Sequence, residues 1–119
     1  MKVCIAGGGK VGMYLAKSLL AHHHKVTLIE PVEAICRQLA DQLDIPVICG
    51  DSINFDTLRT AEVEQCDAFV AVTGNDEDNL IACQIAKQEF GVSRTVARTS
   101  NPKNRELLHI LGVDTVVCG

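Results

Sequence analysis

Three glycines at G-x-G-x-x-G spacing, Gly7, Gly9 and Gly12, follow directly on an apolar run and precede a helical pattern. Glycines at this spacing allow a strand to turn sharply into a helix, and they let backbone N–H groups come close to a bound anion. A second apolar run, residues 25–29, ends at the acidic Glu30. The glycines, the strand and the acid together predict a dinucleotide-binding βαβ unit rather than an ordinary strand-to-helix turn.

Each residue of the glycine loop has its own expected role. Gly7 permits the tight turn out of the strand, Gly9 lets backbone N–H groups approach phosphate, and Gly12 lets the helix pack closely on the strands. The start of a helix carries unpaired N–H groups and the positive end of the helix dipole, and both favour an anion. The predicted phosphate-binding segment also includes the other three residues of the loop: Gly8, Lys10 and Val11.

The acid at the end of the second strand predicts which nucleotide is preferred. The Glu30 carboxylate can accept hydrogen bonds from both ribose hydroxyls of an adenosine, and it would repel a 2′-phosphate. The next four residues, Pro31 to Ala34, include no Lys or Arg that could bind such a phosphate. The sequence therefore favours NAD(H) or an adenine nucleotide (ATP, ADP or AMP) over NADP.

Length and composition limit the class of protein. A chain of 119 residues is expected to form one domain, spanning 1–119. It has no apolar run near the ~20 residues of a membrane span and no secretory leader, so we expect a cytoplasmic protein without direct membrane insertion. The net charge of −4, with one Tyr, three Phe and no Trp, argues against a nucleic-acid surface, because phosphate backbones attract Lys and Arg.

Strand-like and helix-like patterns alternate along the whole chain. The strands are short and apolar, which is typical of a parallel sheet covered on both faces. The expected fold class is therefore α/β: a Rossmann-type, doubly wound, parallel six-stranded sheet of order 3-2-1-4-5-6. Strands are predicted near 2–6, 25–29, 46–49, 68–72, 94–97 and 115–118, and helices near 11–22, 32–43, 55–62, 77–90 and 103–111. Pro31 suits the first turn of the second helix, and Asn75 can cap the fourth.

Ligands of doubly wound sheets bind at the carboxyl ends of the strands, so this order also predicts which residues meet. Asp51, after the third strand, either accepts from an adenine amine or caps the helix that starts near Asn54. Thr73, Gly74 and Asn75 follow the fourth strand and border the phosphates or the second ribose; the alternative is a plain turn.

Two cations are expected within reach of phosphate oxygens. Lys10 lies in the glycine loop and Arg98 follows the fifth strand. Lysine binds phosphate as a point charge and arginine as a two-pronged donor. A surface salt bridge is the alternative for each side chain.

Neither catalytic nor metal-binding residues are expected. The six cysteines form no C-x-x-C pair, so we expect reduced thiols that serve as small core residues, not a zinc site or a redox pair. Three consecutive histidines, His22 to His24, point in different directions at a helix end and predict a solvated turn. The acidic run Asp76 to Asp78 is an alternative divalent-metal site, although carboxylates in the first turn of a helix are favoured without metal.

Several blocks of the sequence resemble the TrkA N-terminal domain, also called the RCK or KTN domain. They are Ile5–Gly12, Gly50–Asp51, Ala71–Asn79, Ala97–Arg98 and Leu111–Asp114. The resemblance covers essentially the whole chain. It implies a cytosolic regulatory subunit, peripheral at the inner face of the membrane, that binds NAD(H) or an adenine nucleotide and gates a membrane potassium-translocating subunit.

The resemblance has further implications for residues and assembly. It implies that Glu30 and Asp51 hold the adenosine, that Lys10 and Arg98 approach the phosphates, and that the protein forms a homo-oligomer. Family members usually continue into a crossover helix and a second lobe, whereas this sequence stops at Gly119. The alternative is a small NAD-dependent oxidoreductase or its cofactor-binding fragment, but the sequence contains no substrate domain and no well-placed acid or base.

Overall fold

The computed structural model describes residues 1–119 and contains six strands and five α-helices in alternation. The strands are β1 (Lys2–Ala6), β2 (Lys25–Glu30), β3 (Val47–Cys49), β4 (Ala68–Ala71), β5 (Arg94–Thr99) and β6 (Thr115–Cys118). The helices are α1 (Lys10–Ala21), α2 (Glu33–Gln42), α3 (Phe55–Thr60), α4 (Asp76–Gln88) and α5 (Asn104–Ile110). A short 3₁₀ helix at Val63–Gln65, which the sequence pattern did not predict, precedes β4.

All six strands are parallel and lie in the order β3-β2-β1-β4-β5-β6. The predicted fold class and strand order are therefore confirmed. Strands β1 and β4 are neighbours at the centre of the sheet, although two strands, β2 and β3, separate them in sequence. The chain reverses its direction of winding between these strands, and this leaves a crevice at their carboxyl ends.

Apolar side chains on both faces of the sheet form two core layers. On one face, Ile5 and Leu28 pack with Leu39 of α2, and α1 adds Ala16. On the other face, Phe69 packs with residues of α3, α4 and α5, and its side chain is completely buried. Burial of an aromatic side chain of this kind stabilises the fold by roughly 1.5–3 kcal/mol. No helix is long and apolar enough to span a bilayer.

Local side-chain chemistry sets most helix boundaries. Asn75 caps α4 as predicted, because its side-chain oxygen accepts from the Asp78 N–H at 2.9 Å. The prediction for Pro31 was wrong. The helix begins at Glu33 with an extended Val32 as its N-cap, since the Val32 N–H is held by the Glu30 carboxylate instead of entering the helix.

The apolar helix α4 and the three histidines occupy definite positions in the fold. The apolar stretch of α4 lies on the sheet, where Ala82, Cys83 and Ala86 are buried inside the domain. The three histidines form the turn between α1 and β2, and His23 has a positive φ of 67°. This turn lies at the amino end of β2. The histidines are therefore at the amino ends of the strands, whereas the glycine loop is at their carboxyl ends.

Candidate nucleotide-binding cleft

A cleft of about 650 Å³ lies at the carboxyl ends of β1, β2, β4 and β5. It brings together eleven of the twelve residues that the sequence singled out, although these come from five separate segments of the chain. They are Gly7, Gly8, Gly9, Lys10, Val11, Glu30, Asp51, Thr73, Gly74, Asn75 and Arg98. The twelfth, Gly12, does not line the cleft, because it is buried in the first turn of α1.

The glycines of the loop meet different constraints. Gly7 has a φ of +117°, and a Cβ there would lie 3.0 Å from the backbone of Val72 and Thr73. A Cβ at Gly12 would lie 1.7 Å from the Gly7 carbonyl oxygen, so only glycine lets α1 pack this closely on the loop. Gly9 is the exception: its φ is −74°, and a Cβ would meet no protein atom within 4 Å. The fold therefore does not require glycine at position 9, which lines the cleft.

The N-terminus of α1 lies open at the cleft without any cap from the protein. Its N-cap residue, Gly9, makes no side-chain hydrogen bond, and the first turn contains no acidic residue. By contrast, Asn54 and Asn75 cap α3 and α4 with their side chains. The first N–H groups of α1 thus lack a side-chain acceptor, as do those of α2 and α5. Where such groups face a cleft, an anion is their natural partner.

Glu30 has a structural role that the sequence did not reveal. The residue is only 6% exposed, and its carboxylate accepts from the Gly8 N–H at 2.9 Å and from the Val32 N–H at 2.8 Å. One carboxylate oxygen therefore holds the glycine loop and the other holds the start of α2. A carboxylate has about four acceptor positions, so both oxygens can still accept from a ligand.

At the end of β3, the structure separates the two interpretations of Asp51. The cap of α3 is Asn54, whose side-chain oxygen accepts from the N–H groups of Asp56 and Thr57. Asp51 instead accepts from the Ile53 N–H at 3.1 Å and lines the cleft near Glu30. The helix-cap interpretation of Asp51 was therefore wrong. The adjacent Ser52, a buried residue that sequence reasoning missed, also lines the cleft.

A buried asparagine in α4, Asn79, ties the ends of β4 and β5 together. Its side-chain oxygen accepts from the Thr73 N–H (3.0 Å) and hydroxyl (2.5 Å). Its amide group donates to the carbonyl oxygens of Thr73 (3.1 Å) and Arg98 (2.9 Å). The segment after β4 is therefore more than a plain turn. Sequence reasoning assigned no role to Asn79, and the signal available was a polar residue on the buried side of an apolar helix.

The two predicted cations are free of ion pairs. The three salt bridges of the chain join Arg37 to Glu33, Arg59 to Asp56 and Lys87 to Asp114. The salt-bridge interpretation of Lys10 and Arg98 was therefore wrong. Arg98 uses its Nε to donate to the Gly119 carbonyl oxygen at 3.1 Å, and Lys10 is exposed at the mouth of the cleft. The acidic Asp78, which the sequence offered only as part of an alternative divalent-metal site, also lines the cleft.

The carboxylate of Asp76 serves the fold. It accepts from the Thr99 hydroxyl, from the Ser100 N–H at 3.0 Å and from the Asn104 amide at 3.3 Å. The hydrogen bond from Thr99, followed by those from Ser100 and Asn104, holds the pKa of this carboxyl below its usual value. Asp76 therefore links α4 to the loop between β5 and α5.

Not all of the thiols are core residues. Cys4, Cys36, Cys66 and Cys83 are buried, but Cys49 and Cys118 are exposed, and all six are free. The expectation that the cysteines are small core residues was wrong for these two. Both stand at the last position of a strand at the rim of the sheet, where the neighbouring layers do not cover them.

The parallel sheet, its switch point and the glycine loop at an uncapped helix define a Rossmann-type domain. The sequence profile of the TrkA-N domain matches residues 3–119. The chain belongs to this family, as the sequence blocks suggested.

Several relatives of this chain are named as potassium uptake proteins. The chain is 44% identical over 117 residues to the Trk system potassium uptake protein TrkA homolog of Methanothermobacter thermautotrophicus, with 98% of this chain and 54% of the relative covered. It is 35% identical over 116 residues to the Trk system potassium uptake protein TrkA of Streptomyces coelicolor, with 98% and 52% covered. The chain thus spans about half the length of these relatives.

Solved structures share the fold. The TrkA-N domain of the inner membrane protein ybaL from Escherichia coli superposes with a TM-score of 0.91 at 19% identity, covering 99% of this chain and 87% of that one. The GsuK RCK domain superposes with a TM-score of 0.84 at 26% identity, covering 98% of this chain and 25% of that one. The GsuK channel bound to NAD superposes with a TM-score of 0.86 at 21% identity, covering 98% of this chain and 21% of that one.

Proposed function

We propose that the cleft binds NAD(H) or an adenine nucleotide and that this domain regulates a membrane potassium transporter or channel. The observation that carries the nucleotide proposal is the uncapped N-terminus of α1, which opens into the cleft beside Gly9. Backbone N–H groups at such a terminus, with no side chain above them, suit a phosphate group. The GsuK channel with the same fold is bound to NAD, which supports the proposal.

Charge divides the proposed site into two ends. Glu30 and Asp51, at the ends of β2 and β3, would accept from the hydroxyls and amine of an adenosine. Lys10 and Arg98, both free of ion pairs, would approach the phosphates. Thr73, Gly74 and Asn75 would border the phosphates or a second ribose. In this arrangement Glu30 has two functions, because the same carboxylate holds the glycine loop.

The regulatory part of the proposal rests on the family and its potassium-uptake relatives. The domain would act in the cytoplasm at the inner face of the membrane, in a homo-oligomer that contacts the potassium-translocating subunit. A ligand shifts a conformational equilibrium only by its different affinity for two states, so nucleotides that regulate differently must bind the states differently. Lys10 and Arg98 supply a physical source for that difference, because they would sense the number of phosphates.

Calorimetric titration of NAD, NADH, NADP, ATP, ADP, AMP and adenosine tests the site. Lys10→Ala is expected to weaken the binding of ADP and ATP by about 1.5–3 kcal/mol, the value of a charged hydrogen bond, while adenosine binding stays unchanged. Lys17→Ala is the matched control, since Lys17 is exposed on the same helix but does not line the cleft. An equal effect of the two variants would contradict the phosphate assignment.

Gly9→Asp tests the regulatory proposal. Position 9 has room for a side chain, so the variant is expected to fold while its carboxylate occupies the place proposed for phosphate. Potassium uptake should then lose its nucleotide response in cells whose protein carries this change. Normal uptake and a normal response would contradict the proposal. Turnover of NADH with a simple carbonyl compound would favour the oxidoreductase instead.

A further inference from the structure

Two cysteines from different elements meet beneath the acid of the cleft. Cys36 lies in α2, and its thiol donates to the Glu30 carbonyl oxygen at 3.1 Å. Cys49 ends β3 directly opposite Glu30 in the sheet, and its thiol donates to the Pro31 carbonyl oxygen at 3.7 Å. The two thiols therefore donate to the carbonyl groups of consecutive residues, Glu30 and Pro31.

The thiols lie beside the carbonyl groups of consecutive residues, and their surroundings differ. Burial, followed by a hydrogen bond with the Cys49 thiol, raises the pKa of Cys36 to about 11. Cys36 is buried, whereas Cys49 is exposed. A reagent in solution can therefore reach Cys49 first, and a reacted Cys49 has a second thiol beside it.

No other cysteine combines these properties. The thiols of Cys4 and Cys66 also share a hydrogen bond, but both residues are buried. Cys83 is buried and donates to the Val96 carbonyl oxygen. Cys118 is exposed at the end of β6, on the opposite edge of the sheet from β3. Only Cys36 and Cys49 combine a buried and an exposed thiol beside the carbonyl groups of consecutive residues.

We propose that Cys36 and Cys49 form a reversible modification site for low-molecular-weight disulfides such as oxidised glutathione. The Cys49 thiolate attacks one sulfur of the oxidant, forms a mixed disulfide and releases one glutathione thiolate. Cys36 then loses its proton to solvent, and its sulfur attacks the Cys49 sulfur and displaces the second glutathione thiolate. In total, two protein thiols lose two electrons and two protons, and one glutathione disulfide becomes two glutathione molecules.

The modification should reach the cleft through Glu30. A disulfide brings the two sulfurs to about 2.05 Å, and it removes the S–H group that Cys36 donates to the Glu30 carbonyl oxygen. The Glu30 carbonyl oxygen accepts a hydrogen bond from the Cys36 thiol, and the Glu30 carboxylate accepts one from the Gly8 N–H in the glycine loop. Oxidation should therefore weaken ligand binding. This second step rests on the proposed nucleotide function.

Peptide mapping tests the modification without any ligand. Protein treated with oxidised glutathione is blocked with N-ethylmaleimide and digested with trypsin without reduction. Cleavage after Lys25, Arg37 and Arg59 places Cys36 and Cys49 on separate peptides, 26–37 and 38–59. We expect these two peptides to be cross-linked in the wild type and in Cys118→Ser, and separate in Cys49→Ser. A persistent mixed disulfide at Cys49, or unreacted thiols throughout, would overturn the proposal.

Titration of oxidised and reduced protein with NAD and ADP tests the coupling to the cleft. Oxidation is expected to lower the affinity about threefold or more, the change that corresponds to the loss of one hydrogen bond, and dithiothreitol should restore it. Cys49→Ser should show no response to the oxidant. Equal affinities of cross-linked and reduced protein would refute the coupling alone. If reduced protein binds no nucleotide while the cross-link still forms, the proposed function fails and the modification site stands.

Discussion

Replacing the buried Asn79 by alanine should destabilise the domain much more than removing an exposed helix cap. The side chain makes four hydrogen bonds, three with Thr73 and one with the Arg98 carbonyl oxygen. At about 1 kcal/mol for each bond, Asn79→Ala should cost roughly 4 kcal/mol. This is a large part of the ~5–15 kcal/mol that stabilises a typical domain.

The matched control is Asn75→Ala, four residues earlier on the same helix. Asn75 is exposed and caps α4 through one hydrogen bond to the Asp78 N–H, so its loss should cost about 1 kcal/mol. Urea unfolding followed by circular dichroism gives both free energies of unfolding, and an unchanged dependence on urea concentration shows that the unfolded states are comparable. In thermal unfolding, the expected shifts are roughly 15 °C for Asn79→Ala and 4 °C for Asn75→Ala. If the two variants differ by less than about 1 kcal/mol, the four hydrogen bonds do not hold β4 and β5 together as inferred.

Three further predictions concern acid, packing and thiols. Since the pKa of Asp76 is lowered on folding, its contribution to the stability of the fold is present above the ordinary aspartate pKa of about 3.9 and is lost as the pH falls through the folded value. Urea unfolding across pH 2–6 should therefore show a smaller loss of stability in acid for Asp76→Asn than for the wild type, and parallel curves would contradict this. Gly12→Ala should cost about 3 kcal/mol or more because its Cβ would overlap the Gly7 carbonyl oxygen, whereas Gly9→Ala should cost at most about 1 kcal/mol; similar melting temperatures would refute the packing argument. Protein prepared without oxidant should show six free thiols on denaturation, and a disulfide already present would contradict the expectation of reduced cysteines.

Short-range patterns in the sequence were enough to predict the strands, the glycine loop and the strand order. Strand and helix periodicity and the preference of Asn75 for an N-cap depend on residues close in sequence, so they can be read without coordinates. The order of the sheet follows because right-handed crossovers leave few alternatives. That order in turn placed Glu30, Asp51 and Arg98 together at the carboxyl ends of the strands.

Side-chain contacts between distant segments could be decided only by the tertiary structure. Asn79 acquires its partners because α4 packs against the ends of β4 and β5, and Glu30 acquires the Gly8 N–H because the loop folds back over β2. Cys36 and Cys49 have no spacing that marks a pair, yet the packing of α2 on β3 brings both thiols to the carbonyl groups of Glu30 and Pro31. Sequence periodicity determines which face of an element is buried, but the partner of each polar group depends on how the elements pack, to within a hydrogen-bond length.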